Sequence, residues 1–462
     1  MLNLLEYKKR GEKLELVKNS KIILNDSFDF KNTALIEKLI ENHKTIVNNR
    51  FKKLEKYYEG KHEILNRTIS DPDKPNNRGV ANFCQYATDQ LTGFFMGKPV
   101  SYSSRNKSYL DKLNEIFKDN DESSENHTLA HKSSIKGQAF ELVYADEDGN
   151  IKFTNLDTDS VICVYDNSVQ QNTLMAIRYF TNKDILTDSE KTIIDVYTKD
   201  TIYHYEMNKD GITYINEETH YFGEVPILEF ANNRFRTSDF EGIITLNDMY
   251  NLNLADISND IAYFSNCLLA LEGMDGTNEE DIKLLKERRT LLLPENSKAY
   301  YITKQLNDSA VQNHRNNLKE DIHKFSYIPD LSEIGNVPNI SGTAIKQKFF
   351  STEQVIQNKE RMFKKALMKR IRLITNFLNI KEYNFNINDI EIQFNRNLPV
   401  NLVEFSDSVV KLAGTIPNEI LFETLNKYGL EIDVKRAIEL KKQEENFDPY
   451  KDNFIPNGDI NE

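Results

Sequence analysis

The chain has 462 residues and a mass of 53.8 kDa, enough for two or three ordinary domains with sizeable cores. Its 59 basic and 72 acidic residues give a net charge of −13, the wrong sign for a protein that grips duplex DNA by neutralising phosphates. The longest apolar run, Cys267–Leu271, is far too short to span a membrane, and Met1–Arg10 carries its charges after its apolar residues, which argues against a signal peptide. The three cysteines, Cys84, Cys163 and Cys267, form no CxxC pair and read as reduced thiols of a cytosolic protein. Hydrophobic residues make up only 39% and mean hydropathy is −0.59, which suits an elongated or ring-assembled subunit.

Apolar residues at helical spacing from Leu35 to Leu54 predict a helix over 31–59, stopped at Gly60. Further helices are expected over Ala81–Phe95, Tyr109–Phe117 and Ser123–Lys136. From Gln138 to Phe230 β-branched and aromatic residues alternate with turns. A hairpin over Glu141–Phe153 should turn at Asp148-Gly149, with strands at Ser160–Tyr165, Leu174–Phe180, Thr192–Tyr197, Thr201–Glu206 and Ile227–Phe230. The class is therefore α+β. A long helix capped by Ser238 or Asp239 is predicted to run to Leu271, with five acids and no Lys or Arg. A charged helix near Glu279–Arg289, strand-like stretches at Thr290–Leu293 and Ala299–Thr303, and a helix over Ser309–Tyr327 follow. The longest helix, Ser341 to about Ile380, would extend about 60 Å. It carries nine basic and two acidic residues. A strand at Ile390–Phe394, a helical unit over 401–446 and a disordered tail over 447–462 complete the expectation.

No motif carries catalysis. Gly93-Phe-Phe-Met-Gly97-Lys98-Pro99 has three residues between its glycines and a proline where a phosphate loop needs Ser or Thr, so it reads as a helix stop. His127 and His131 lack the glutamate of a zinc hydrolase helix. Asp71-Pro-Asp73 and Asp157-Thr-Asp159 are capping or turn carboxylates, and Asp146-Glu-Asp148-Gly149 is a hairpin tip. No enzyme, metal or cofactor is expected. The +7 helix reads as a solvated face or as a charge-complementary partner of the acidic helix, pairing Asp248, Asp256 and Asp260 with Arg361, Lys364 and Lys365 across subunits. On charge pattern alone, a non-enzymatic cytosolic helical scaffold or adaptor is the alternative reading.

The order of parts resembles the portal (head–tail connector) proteins of tailed bacteriophages, of the siphophage type common in phages of Gram-positive hosts. The matching segments are Tyr57-Tyr-Glu-Gly-Lys-His62, Asn76-Asn-Arg78, Thr92–Tyr102, Gly137-Gln-Ala-Phe140 and Phe230–Glu241. Further along come Ile328-Pro-Asp-Leu331, Ser341-Gly-Thr-Ala344 and Asn395-Arg-Asn-Leu-Pro399. The resemblance implies a ring, typically a dodecamer, around a channel for double-stranded DNA. It divides the chain into a wing (1–237), stem helix (238–271), clip (272–308), second stem helix (309–328) and tunnel loop (329–342). A wing helix and strand (343–398), a crown (400–446) and the tail (447–462) follow. It implies a DNA-facing loop with Ser332, Glu333, Asn336 and Asn339 at its tips. It also implies a terminase-docking clip with Glu279, Glu280, Asp281, Lys283, Arg288 and Arg289. Implied partners are further copies of the chain, DNA, terminase, major capsid and scaffolding proteins and a neck protein, with no membrane. The place is the portal vertex of the virion, after assembly in the host cytoplasm.

Overall fold

The computed structural model describes residues 21–24, 29–71, 74–183, 190–209, 211–264, 268–273, 280, 283, 297–302, 308–332, 342–397, 411, 415–427 and 433–446. It opens with a short strand β1 (Ile22–Ile23) and α1 (Thr33–Ile46), whose N-terminus is capped by Asn32 accepting from the Leu35 N–H. The expected single helix over 31–59 is interrupted. One wide π turn, Val47–Phe51, joins α1 to α2 (Lys52–Tyr58). Such a turn inserts an extra residue and rotates the following side chains, so Leu54 and Tyr57 face a different core from Ile36 and Ile40.

Helices α3 (Phe83–Met96), α4 (Lys107–Asp119) and α5 (Glu122–Lys136) follow, with a strand β2 (Ser101–Ser104) that the sequence reading did not foresee. The hairpin β3 (Gln138–Ala145) and β4 (Ile151–Leu156) turns as expected. Asp146 accepts from the Asp148 and Asn150 N–H groups, and Gly149 takes φ +76. Strands β5 (Val161–Tyr165), β6 (Thr173–Lys183), β7 (Glu190–Tyr197), β8 (Thr201–Asn208) and β9 (Gly211–Thr219) form a meander, and β10 (Ile227–Ala231) joins β3. Strand β9 escaped prediction because it is an edge strand, exposed along most of its length, so no burial imposed alternation on it.

The six-stranded sheet runs β1-β5-β6-β7-β8-β9, with β1 parallel to β5 and every other pair antiparallel. Helix α1 buries Ile36, Leu39 and Ile40 against Val164, Ile177, Ile194 and Val196 of this sheet. Each such side chain contributes about 1.5–3 kcal/mol on leaving water.

Helix α6 (Ile244–Phe264) ends well before Leu271, against the expectation. Leu268–Glu272 is instead strand β11, paired antiparallel with β12 (Lys298–Ile302). The apolar run is too short to extend a helix stripe, yet long enough for a ladder strand. Helix α7 (Asp308–Ser326) returns alongside α6. The predicted 341–380 helix is two pieces, α8 (Gly342–Lys348) and α9 (Phe350–Ile380), meeting at Phe349. Strand β13 (Ile390–Gln393) pairs with β2 and so ties residues 101–104 to 390–393. Helices α10 (Asn418–Lys427) and α11 (Val434–Asn446) lie within the expected C-terminal helical unit. The expected strand 290–293 and the tail 447–462 lie outside the described residues.

The larger core gathers α3, α4, α5, the β10-β3-β4 sheet and α9. Phe363 is its hub, with ring centroids 4.7 Å from Phe230 and 5.5 Å from Phe95. Among the described residues, no helix is long and apolar enough to cross a membrane.

Candidate functional site

The acidic helix α6 is held by a row of polar clamps, all from the segment 57–84. Tyr57 donates its hydroxyl to Asp248 at 2.8 Å. His62, 1% exposed, accepts from the Asn251 side-chain amide at 3.0 Å through Nδ1 and donates to the Tyr57 carbonyl through Nε2 at 3.0 Å. Arg67 pairs with Asp256 at 2.7 Å, and the Asn77 N–H and side-chain amide both donate to Asn259. Asn247 and Asn251, both fully buried, bond the Ala81 carbonyl and N–H respectively. Each buried amide is therefore satisfied by backbone, which fixes the rotation of α6 about its axis. Burial, then the Asp248 hydrogen bond, pushes the Tyr57 phenol up.

With that face clamped, Met249 and Leu252 are left 49% and 46% exposed one turn apart. The predicted acids Asp248 and Asp256 thus have partners inside the same chain. Arg361, Lys364 and Lys365 of α9 are exposed, and Lys364 donates to the Ile392 carbonyl at 3.2 Å.

Two of the nine basic residues on the long helix are not on a solvated face at all. Lys359 is 2% exposed and pairs with Asp239 at 2.7 Å while donating to Ser134. Arg370 is fully buried. Its Nε and Nη2 meet the two Glu141 oxygens at 2.7 and 2.5 Å, its Nη1 meets Asn126 at 2.9 Å, and its guanidinium lies 4.5 Å from the Phe153 ring centre. Asp239 is accordingly an ion-pair partner rather than a helix cap. It is Ser238 that accepts from the Phe240 N–H, while its hydroxyl donates to Ser134 O. These contacts fasten α9 to α5, β3 and the start of α6.

At the far end of α7, Asp330 gathers Lys319 at 2.5 Å and the Ser332 hydroxyl and N–H at 2.6 and 3.0 Å. Burial works to raise the Asp330 carboxyl, but these donors outweigh it and hold it at about 2. Beside it an open cleft of about 610 Å³ is lined by Phe83, Tyr86, Lys319, His323, Asp330 and Leu331. Ser332, the one described tip residue of the expected tunnel loop, is exposed at the rim. Glu333, Asn336 and Asn339 lie outside the described residues. So do Glu279, Asp281, Arg288 and Arg289 of the expected clip, whereas Glu280 and Lys283 are exposed and helical.

The remaining candidates resolve as local structure. Gly97 ends α3 by donating to the Gly93 carbonyl, and a Cβ there would lie 2.6 Å from Asn397 Nδ2. His131 bonds Tyr58 at 3.0 Å and stands 3.5 Å from Asp89. Asp157 caps a short 3-10 turn and Asp159 pairs with Lys136 at 2.9 Å. Among the described residues no group of His, Cys, Asp and Glu could hold a metal ion.

The segments that carry the resemblance coincide with these joints. Tyr57–His62 and Asn76–Arg78 clamp α6. Gly137 closes α5 at φ +84, where a Cβ would lie 1.9 Å from the Arg236 carbonyl oxygen. Asn395 donates to Pro99 O and Ser101, and Arg396 reaches Glu353 at 2.9 and 3.0 Å and also Glu360. Sequence reasoning could not see the buried network because Arg370 and Lys359 look like any other basic residues of a charged helix. Only their spacing of eleven residues, three helical turns on one face, was available as a signal.

The portal protein of Bacillus phage SPP1 is 26% identical over 275 residues, covering 54% of this chain and 53% of that protein. The chain thus spans about half the length of that curated relative. A solved chain from the neck of an empty GTA particle, computed with C6 symmetry, is similar at a TM-score of 0.47 and 11% identity, over 76% of this chain and 91% of that one. The family described as phage portal protein, SPP1 Gp6-like, matches residues 36–446, and the chain belongs to that family.

Proposed function

We propose that this chain is the subunit of a portal ring at one capsid vertex, through which double-stranded DNA enters and leaves the head. The carrying observation is the family match over residues 36–446, which takes in every joint described above. The family is structural rather than catalytic. Helices α6 and α7 would be the stem, with the β11–β12 ladder and the charged segment around Glu280 and Lys283 as the clip that docks the terminase. Residues 329–342, rooted at Asp330, would be the tunnel loop, with Ser332, Glu333, Asn336 and Asn339 toward the DNA. The residues 1–237 with 343–398 would form the wing and 400–446 the crown. Capsid and scaffolding proteins, and a neck protein, would meet the outer surfaces.

A net-acidic wall suits this work, because a channel must let a polyanion slide without tight phosphate contacts. The clamped α6, which presents Met249 and Leu252 outward, supports packing between neighbouring copies in a closed ring. Arg361, Lys364 and Lys365 stay exposed for charge pairing across that contact. Negative-stain microscopy of the purified full chain tests the reading. Rings with a central hole are expected, typically dodecamers, and a monomer or dimer at micromolar concentration would overturn it.

A further inference from the structure

We propose that β9, the open edge of the six-stranded sheet, is paired in the assembly by residues 13–18 of a neighbouring copy. Each subunit would thus lend an extended arm to the next, a contact that rests on the ring reading above. Strand β9 ends the sheet order β1-β5-β6-β7-β8-β9, and among the described residues no strand pairs along its outer side. Every residue from Thr213 to Thr219 is exposed, Tyr214 by 41% and Ile215 by 56%. An open edge is a template for another strand, and proteins usually blunt it with Lys or Pro. Strand β9 contains neither.

The edge has one interruption. Tyr214 faces Tyr205 and Asn216 faces His204, so Ile215 is the extra residue of a bulge. Beyond it, Asn216–Thr219 pairs regularly with Thr201–His204, which leaves four residues of unbroken ladder with a free outer side. That stretch is acidic. Glu217 is shared with Lys31 at 2.8 Å, and Glu218, its side chain 62% exposed, stands 3.6 Å from His204.

The length of chain ahead of β1 selects the occupant. Twenty residues precede Lys21, and they join the fold at β1, the opposite edge of the same sheet. Within them Leu14 and Leu16 alternate with Lys13 and Glu15, the period of a strand. Residues 8–18 hold five basic and two acidic side chains, the balance that suits an edge carrying Glu217 and Glu218. Reach decides whose β9 they meet. Lys18 is four residues from Ile22, at most about 14 Å of extended chain. The β9 of the same chain lies five strand spacings from β1, about 24 Å. A strand over 13–18 therefore falls short of its own β9, whereas the β9 of a copy seated beside β1 is within reach. One edge meeting the other in this way is a heterologous contact, the type that closes rings.

The test uses the full-length protein with Leu16→Cys and Thr219→Cys, treated with a short bis-maleimide and run on a denaturing gel. The parent protein controls for reaction at Cys84, Cys163 and Cys267. Each variant chain carries both ends of the contact, so links between copies give a ladder of dimers, trimers and larger species. A link inside one chain gives monomer alone. The ladder is expected. Adding Leu14→Pro and Val17→Pro should reduce it about tenfold or more without moving the thermal midpoint, because proline cannot donate to a sheet ladder. Glu217→Gln with Glu218→Gln should reduce it about threefold at about 50 mM salt, and less at about 500 mM. Negative-stain microscopy of the same samples separates this proposal from the ring itself. Rings without a ladder, or a cross-linked monomer alone, would overturn the arm exchange and leave the ring standing. A ladder unchanged by both prolines would overturn it too, and the absence of rings and ladder together would overturn both readings.

Discussion

His43 shows how a single residue couples the stability of the fold to pH. It is 6% exposed between Phe51 and Tyr179, its Nδ1 lies 2.8 Å from the Tyr179 hydroxyl, and burial lowers it to about 4. It is neutral in the fold and charges in the unfolded chain below about pH 6.5. The unfolded state therefore binds more protons between pH 6.5 and 4, so this contribution is complete above 6.5 and is lost as pH falls to about 4, by about 3 kcal/mol. Urea unfolding across that window should show the loss, and His43→Gln should flatten it; an unchanged slope in the variant would reject His43 as the cause. Arg370 makes the complementary case for paired charge. Arg370→Met leaves Glu141, itself fully buried, without its bidentate partner, at a cost of about 3–5 kcal/mol. Adding Glu141→Gln should restore most of the lost unfolding free energy, and a double variant no more stable than the single would show that packing, not charge, dominates.

At the scale of elements, most helices and strands were legible because burial on one face imposes periodicity. The α1 stripe Ile36, Leu39 and Ile40 is legible for that reason, whereas β7, whose last four residues are all buried, is legible from its β-branched and aromatic content. The misses have equally physical causes. Edge strands β2 and β9 gain their order from a neighbour rather than from burial, and β1 has only two residues. The strand β11 depends on pairing with residues about thirty positions away, which no local window contains. The clamps were visible only as motifs of the resemblance, since nothing in Tyr57–His62 by itself says that it meets Asp248 and Asn251. Helix α7 ends with Tyr327 at φ +61, donating to Lys324 O, while the Ile328 N–H reaches His323 O. This is the left-handed stop that glycine normally supplies. The Tyr327 side chain is half exposed, so little packing is lost on removing it. Tyr327→Gly should raise the thermal midpoint, by relief of about 1 kcal/mol of backbone strain, and a lower midpoint would mean that the ring makes contacts which outweigh the strain.

For the whole molecule, two forces, charge and apolar contact, compete as the means of closing the proposed ring. Charge contrast between the acidic α6 and the basic α9 suggested ion pairing between subunits, yet much of that charge is spent internally, on Asp239–Lys359, Asp256–Arg67 and Glu141–Arg370. Outward at its clamped rotation α6 presents the apolar Met249 and Leu252 beside Thr245 and the Arg67-paired Asp256. An apolar contact strengthens or holds in salt, whereas exposed ion pairs weaken once the screening length falls to about 3 Å at 1 M. Sedimentation velocity separates the two. Met249→Asp with Leu252→Asp should shift the protein from rings to monomers at every salt concentration. Reversal of Arg361, Lys364 and Lys365 to Glu should weaken rings at low salt only, and leave them intact near 1 M. Rings that survive the α6 double change but fall apart in high salt would hand the closure back to charge.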